Sequence, residues 1–376
     1  MEENEVAGEG NYARVYNLDS ETVVKVIPKE NLLSGIREAI LLNKCKEMPG
    51  IVNIKSVEIN NDGIRLTLDK CEINLYNFIK DNKLPLNGLI KLFREIMLAI
   101  YQVHSSGIIH CDIKPQNIML KHDRPYLIDF GISIPADNIV HHCLLQTPTF
   151  RAPEIGGNYR QKNVSEKVDV WSAGCILYFM LTQKPLFEWD EIGDSSIYAS
   201  KLFGIPYVTP RSRRLKILMD QPFDKVEKSI KNRVQNNTTY NGFQLNYIIT
   251  MLAKMLNPNY KYRLTSREVV IILDNFLVME TPQYMVTKTN FINHEVIEGF
   301  PDELISLIRK DQLNTAEAVY QKYKKQNYIM ADVKLACIYV TTILYDAPKL
   351  KNYISENYTD LMDKTINLLK IIDWTI

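Results

Sequence analysis

The stretch HCDIKPQN, residues 110 to 117, places an aspartate (Asp112), a lysine two positions on (Lys114) and an asparagine five positions on (Asn117) in one segment. Seventeen residues after Asp112 a second aspartate, Asp129, stands in IDFGIS, residues 128–133. Between them, NIMLK and PYLID read as a short β-hairpin joined by His122, Asp123 and Arg124, with Asp129 at the end of its second strand. Cys111 stands directly before Asp112.

Upstream, GEGNYARVY (8–16) puts Gly8 and Gly10 in the first two places of a G-x-G-x-x-G pattern and Ala13 in the third. A dinucleotide-binding fold requires a helix directly after such glycines, whereas these lead into a second strand. A strand, Gly-rich loop, strand unit suits a flap whose backbone N–H groups cover phosphates. The strand VVKVI (23–27), which follows a turn at Asp19 and Ser20, carries Lys25, a cation able to reach them. A lysine inside an apolar run is costly to bury unpaired and wants an anion. Glu38, in the predicted helix SGIREAILLNKC (34–45), supplies one; Ser34 reads as its N-cap, and Ile36, Ile40 and Leu41 as its apolar spacing. The strand IRLTL (64–68) follows the turn signal Asn61-Asp62-Gly63.

After about residue 75 the pattern turns helical, in LIKLFREIMLAIYQVHSS (89–106), VDVWSAGCILYFMLT (168–182) and QLNYIITMLAKML (244–256). The predicted fold is therefore α+β, a small β-rich lobe before a larger helical one. A polar connection from about 281 leads to a last helical region, 301–376, read as a separate appendage. The 376 residues carry a formal net charge of +1, which argues against a bulk polyelectrolyte partner such as nucleic acid. Arg211, Arg213, Arg214 and Lys216 read as a solvated loop. The acidic start MEENEVAGEG lacks the apolar core of a secretory signal, and no apolar run reaches the roughly 18 residues of a membrane span, so an intracellular protein, cytoplasmic or nuclear and away from membranes, is expected. Six cysteines without a CxxC pair are read as reduced thiols.

Taken together, the flap, Lys25, Glu38, HCDIKPQN and IDFGIS resemble a eukaryotic-type serine/threonine protein kinase over residues 1 to about 278. The resemblance implies a bilobal fold, with an N-lobe over about 1–70, a C-lobe over about 71–278 and a linker over 279–300 before the appendage. It also implies ATP and Mg²⁺ as cofactors and protein substrates. It makes Asp112 the acceptor of the substrate hydroxyl's proton and Lys114 the stabiliser of the moving phosphoryl group. Asn117 and Asp129 hold the metal. Gly8, Glu9, Gly10 and Val15 belong to the nucleotide flap; Val23, in place of the usual small alanine, lies beside adenine; Leu68 guards the back of the pocket. Asp69 to Cys71 form the hinge. Thr147, before the Ala152-Pro153-Glu154 triplet, marks the serine/threonine branch together with Lys114. Glu154 is matched by Arg263 as a structural pair, and Asp169 holds the catalytic-loop backbone.

Within that family, SGIREAILL, PQN, FRAPE and GDSSIYASKLFGIP resemble the cyclin-dependent kinases. Tyr12 occupies their inhibitory phosphotyrosine position, with Asn11 in place of the neighbouring threonine. Of the three arginines that clamp an activation-segment phosphothreonine in that group, Arg37 is matched, whereas Cys111 and Ile134 stand at the other two positions and His142 replaces the threonine. The expectation is activity without activation-segment phosphorylation; Arg151 adds a preference for proline after the target residue. VKLACIYVTTILYDAP and the segment that follows resemble part of a cyclin box, with Leu344 in place of its lysine and Asp363 as its acid. That makes either an intramolecular cyclin-like activator or an external cyclin-like partner the expected regulator, beside a plain helical bundle. The rival reading of the whole chain is a pseudokinase, a scaffold or nucleotide-binding module, for which Ala13 and Cys111 speak.

Overall fold

The computed structural model describes residues 6–9, 13–60, 62–136, 145–155, 164–188, 194–206 and 210–279. Gly10, Asn11, Tyr12, His142 and the linker and appendage beyond Met279 lie outside the described residues. The chain divides into a unit Met1–Asp274 and a unit Asn275–Ile376; the first is described below.

Five strands, β1 (Val6–Glu9), β2 (Arg14–Asn17), β3 (Thr22–Pro28), β4 (Ile54–Asn60) and β5 (Gly63–Asp69), form one antiparallel sheet in the order β1-β2-β3-β5-β4. Two local devices set its turns. The Asp19 carboxylate accepts the N–H of Glu21 (2.8 Å) and Thr22 (2.7 Å) and the Thr22 hydroxyl (2.7 Å), closing the β2–β3 turn. At the β4–β5 turn, Asn60 Oδ1 accepts the N–H of Asp62 and Gly63. Only glycine serves at position 63, where φ is +145° and a Cβ would lie 2.1 Å from the Ile27 carbonyl.

Helix α1 (Leu32–Lys44) connects β3 to β4 and packs on this sheet. Two expectations need correction here. Ser34 is not the N-cap: Asn31 holds that position, and the Ser34 hydroxyl donates to the Gly131 carbonyl at 2.9 Å. Nor does Ile40 face the core, since it is 62% exposed; the buried side consists of Gly35, Glu38, Ala39, Leu41 and Leu42. Spacing alone marked an apolar position there, but the sheet covers the other side of the helix.

The helical region begins with β6 (Ile73–Asn74), α2 (Leu75–Asp81) and α3 (Leu86–Ser105), followed by β7 (Ile108–Ile109), β8 (Ile118–Lys121), β9 (Arg124–Leu127) and β10 (Ile134–Pro135). The β8–β9 hairpin turns on two residues rather than three, His122 (φ 49°) and Asp123 (φ 60°), both left-handed as a tight hairpin turn requires. Then come α4 (Lys167–Thr182), α5 (Ser195–Leu202), α6 (Arg211–Met219), α7 (Phe223–Gln235), α8 (Gly242–Met255) and α9 (Ser266–Met279). Helix α4 is buried on all sides from Val168 to Thr182, which makes it the axis of the region's core. The basic stretch read as a loop is helix α6, and Arg214 within it is buried, donating to Asp194 (2.9 Å) and Ser196 (3.1 Å). Among the described residues no helix is long and apolar enough to cross a membrane.

Candidate active site

The segment 110–117 takes its shape from one buried carboxylate. Asp169, in the first turn of α4, accepts the backbone N–H of His110 (2.7 Å) and Cys111 (2.9 Å) and meets His104 Nε2 at 3.0 Å. These bonds hold Cys111 in the left-handed region (φ 65°), a conformation that costs a non-glycine residue roughly 1 kcal/mol or more. His110 is fixed in turn: the Asp112 N–H donates to Nδ1 (3.2 Å), so the ring proton sits on Nε2 and points to the Ile128 carbonyl (3.1 Å). The imidazole stacks edge-on against Phe130, centroids 4.8 Å apart.

On this base the polar side chains converge. Asp112 Oδ1 accepts the Thr147 hydroxyl at 2.7 Å; Oδ2 meets Lys114 Nζ at 2.7 Å and accepts Asn117 Nδ2 at 2.8 Å. Lys114 Nζ also donates to Thr147 Oγ1 (3.2 Å), and Asn117 Nδ2 to the Asp112 carbonyl (2.9 Å). Both hydrogen bonds from the Asn117 amide nitrogen go to Asp112, and its Oδ1 accepts none among the described residues.

A second cluster joins the sheet to the hairpin end. Lys25 Nζ donates to both oxygens of Glu38 (2.7 and 2.8 Å) and to Asp129 Oδ1 (2.9 Å). Burial works to lower the pKa of the Lys25 ammonium, but the carboxylates of Glu38 and Asp129 outweigh it and hold the group above its usual range. For Asp129, burial works upward and is outweighed by Lys25, so its carboxyl lies below the usual carboxylate range. Burial raises Glu38 despite Lys25, consistent with a side chain only 2% exposed.

Strand register places Val15 opposite Lys25 and Val23 opposite Leu68, so these four side chains share one face of the sheet. Gly8 and Glu9 lie on β1, and a Cβ at Gly8 would meet nothing within 4 Å. At the hinge, the N–H groups of Asp69, Lys70 and Glu72 bond to Asn53, Glu21 and Leu120 carbonyls, whereas that of Cys71 has no partner among the described residues. The Asp69 carboxylate is bound to Lys55 (2.9 Å). Burial pushes the Cys71 thiol up to about 11.

Around Ala152-Pro153-Glu154 the chain is anchored twice. Arg263, fully buried, grips Glu154 with both terminal nitrogens (2.6 and 2.9 Å) and lies over the Trp171 ring at 5.1 Å. Gln146, left-handed at φ 67°, gives its carbonyl to Arg151 Nη2 (2.8 Å) and Nε (3.2 Å). Its side chain is buried, accepting the Ala152 N–H (2.9 Å) and donating to Ser172 Oγ (2.8 Å) and the Val168 carbonyl (2.9 Å).

Sequence reasoning missed Ser34, His104, Ser133 and Gln146 as positioning residues. His104 and the Gln146 side chain carry no spacing signal, because their partners Ser266, Asp169 and Ser172 are met only through tertiary packing. Of the arginine-clamp positions, Arg37 is exposed, while Cys111 and Ile134 are buried apolar contacts. The Ser133 hydroxyl donates to the His110 carbonyl (2.8 Å), and β10 pairs with β7.

The protein kinase domain family matches residues 1–272. The chain belongs to the protein kinase domain family. Individual relatives agree with this. The serine/threonine-protein kinase MPS1 of Encephalitozoon cuniculi is 33% identical over 197 residues, covering 49% of this chain and 33% of that protein. Cyclin-dependent kinase 1 of the same organism is 29% identical over 281 residues, 70% of this chain and 92% of that protein. Dual specificity tyrosine-phosphorylation-regulated kinase 3 of Macaca fascicularis is 32% identical over 232 residues, 56% of this chain and 38% of that protein. The chain thus spans only about a third of the first and third of these relatives and nearly all of the second. The kinase fold accounts for the sequence order of the domain: sheet with flap and Lys25, helix with Glu38, hairpin with Asp129, then the helices about α4.

Proposed function

We propose that this chain transfers the γ-phosphoryl group of ATP to serine or threonine hydroxyls of protein substrates, with no requirement for activation-segment phosphorylation. The observation that carries the reading is the convergence on Asp112 of Thr147, Lys114 and Asn117, beside a Lys25–Asp129 contact of 2.9 Å. Phosphoryl transfer needs positioning and charge neutralisation, and little covalent work by the protein. Asp112 orients the attacking hydroxyl and takes its proton; Lys114 neutralises charge on the group in flight; Lys25, held by Glu38, anchors the phosphate tail. The donor set suits Mg²⁺. Asn117 Oδ1 and the second Asp129 oxygen are hard oxygen donors, and no cluster of three or more His, Cys, Asp or Glu side chains among the described residues forms an all-protein cage. Mg²⁺ supplies charge neutralisation at the phosphates when bound.

Independence from an activation phosphate is supported by neutral bonds at the start of that segment. Ser133 holds the His110 carbonyl, Ile134 and Pro135 pair with Ile109 and Ile108, and the Ala136 N–H donates to the Gly107 carbonyl (2.9 Å). Cys111, fully buried, leaves no cation to neutralise a phosphate there. A preference for proline after the target residue is supported by the Gln146 carbonyl next to Thr147. Arg151 occupies it, so a substrate N–H would find no acceptor, and proline has none to satisfy.

The test is direct. Phosphatase-treated protein from bacteria, given ATP, Mg²⁺ and a serine/threonine peptide library, should phosphorylate peptides and favour those with proline after the target. A protein that binds nucleotide without turnover would establish the scaffold reading, and one inert until an upstream kinase acts would remove the phosphate-independence.

A further inference from the structure

Ser34 lies one helical turn before Glu38, so the two side chains project from the same side of α1. Both reach the Asp129-Phe130-Gly131 loop. Glu38 does so through Lys25, which bonds Asp129, and through a hydrogen bond with the Phe130 backbone; Ser34 does so with its hydroxyl, which donates to the Gly131 carbonyl 97 residues away at 2.9 Å. A Cβ placed on Gly131 would meet Ser34 Oγ at 3.3 Å, Asp129 Oδ1 at 3.4 Å and Glu38 Oε2 at 3.7 Å, so all three groups surround this one glycine. Serine in the first turn of a helix ordinarily serves the helix's own free N–H groups, yet here the hydroxyl leaves α1 uncapped and bonds the loop instead.

The next residue shows why the hydroxyl reaches. Gly35 is buried, and a Cβ there would stand 2.3 Å from Ile64 Cγ2 and 3.1 Å from Ile27 Cδ1. No other residue type lets α1 settle this close to β3 and β5. Glycine inside a helix costs roughly 1 kcal/mol relative to alanine, so its presence exchanges helix stability for closeness of approach.

We propose that Ser34 is a positioning residue for phosphoryl transfer: its hydroxyl latches α1 to the Gly131 carbonyl and presets the metal-holding carboxylate of Asp129. The proposal rests on the kinase reading above and extends it to what seats α1 in a chain without the arginine–phosphate clamp. The latch and the ion pair differ in one respect. Lys25 is shared between Glu38, Asp129 and the phosphates it anchors, whereas the Ser34–Gly131 bond contains no group that nucleotide competes for. It therefore keeps α1 and the loop together while Lys25 is redistributed.

Full-length wild-type, S34A and S34T proteins, phosphatase-treated, test this in two ways. Turnover is measured against Mg²⁺ concentration at saturating ATP and peptide, and amide hydrogen exchange over residues 128–133 is measured without ligand. Alanine forms helix better than serine, so S34A does not endanger α1 itself. S34A is expected to lower kcat about fivefold, raise the Mg²⁺ needed for half-maximal turnover about threefold, leave KM for peptide within about twofold and speed exchange in the loop. S34T, which restores the hydroxyl, is expected to return kcat, the Mg²⁺ dependence and the loop exchange toward wild type. The proposal is overturned if S34A keeps wild-type Mg²⁺ dependence and loop exchange, or if S34T is as impaired as S34A. A wild-type protein that never turns over would defeat the kinase reading alone, since hydrogen exchange still decides whether Ser34 holds the loop.

Discussion

The Thr147 hydroxyl donates to Asp112 Oδ1 across 2.7 Å, tying the chain ahead of Ala152-Pro153-Glu154 to the 110–117 loop. A hydrogen bond to a carboxylate contributes roughly 1.5–3 kcal/mol, and one that orients a proton acceptor appears in rate rather than in binding. T147A is therefore expected to reduce kcat about tenfold with KM for ATP nearly unchanged, and D112N to reduce it roughly a hundredfold or more. Steady-state kinetics on both variants check this; a T147A loss confined to KM for ATP would contradict it.

Lys25 bridges two carboxylates, Glu38 and Asp129. Removing it in K25M leaves Glu38 buried and unpaired, at a cost of about 3 kcal/mol in urea unfolding. The double variant K25M/E38M removes both charges and should regain most of that stability while remaining unable to transfer phosphate.

The same cluster sets a pH window. Lys25 is raised above its ordinary 10.5, so its contribution is complete below that pH and disappears as pH rises through the higher folded value. Asp129 is depressed below 3.8, so its contribution is complete above that pH and is lost as pH falls through the lower folded value. Wild type should thus lose more stability than K25M on going from neutral pH to below 3.8. Equal acid losses in the two proteins would be evidence against the ion pair.

Arg263 makes bidentate contact with Glu154, donates to the Asn257 (3.0 Å) and Lys167 (3.0 Å) carbonyls and covers Trp171, all while fully buried. R263A should cost about 3–5 kcal/mol, and R263K should recover less than half of it, because an ammonium cannot reproduce the planar fork. Denaturant melts of the three proteins measure both steps.

Freeing the Gln146 carbonyl in R151A should relax the demand for proline. The ratio of kcat/KM for a peptide with proline after the target to that with alanine is expected to fall roughly fivefold, the scale of one hydrogen bond. An unchanged ratio would locate any such preference elsewhere.

The β-rich start followed by a helical region, the strand carrying Lys25, the helix carrying Glu38 as its partner and the α+β class of the chain were legible in the sequence, whereas the basic stretch 211–216 reads as a loop and is helix α6. Each legible feature depends on short-range pattern: alternation or helical spacing of apolar residues, turn residues such as Asp19 and Gly63, and charged residues in apolar runs that demand a partner. Tertiary structure alone decided which face of α1 is buried, so that Ile40 faces out and Gly35 faces the sheet, and which partners Ser34, His104 and Gln146 find. Those partners lie 97, 162 and 26 residues away for Gly131, Ser266 and Ser172. A hydroxyl or an amide satisfies local and distant acceptors equally well, and only the packing of apolar side chains between the elements selects one.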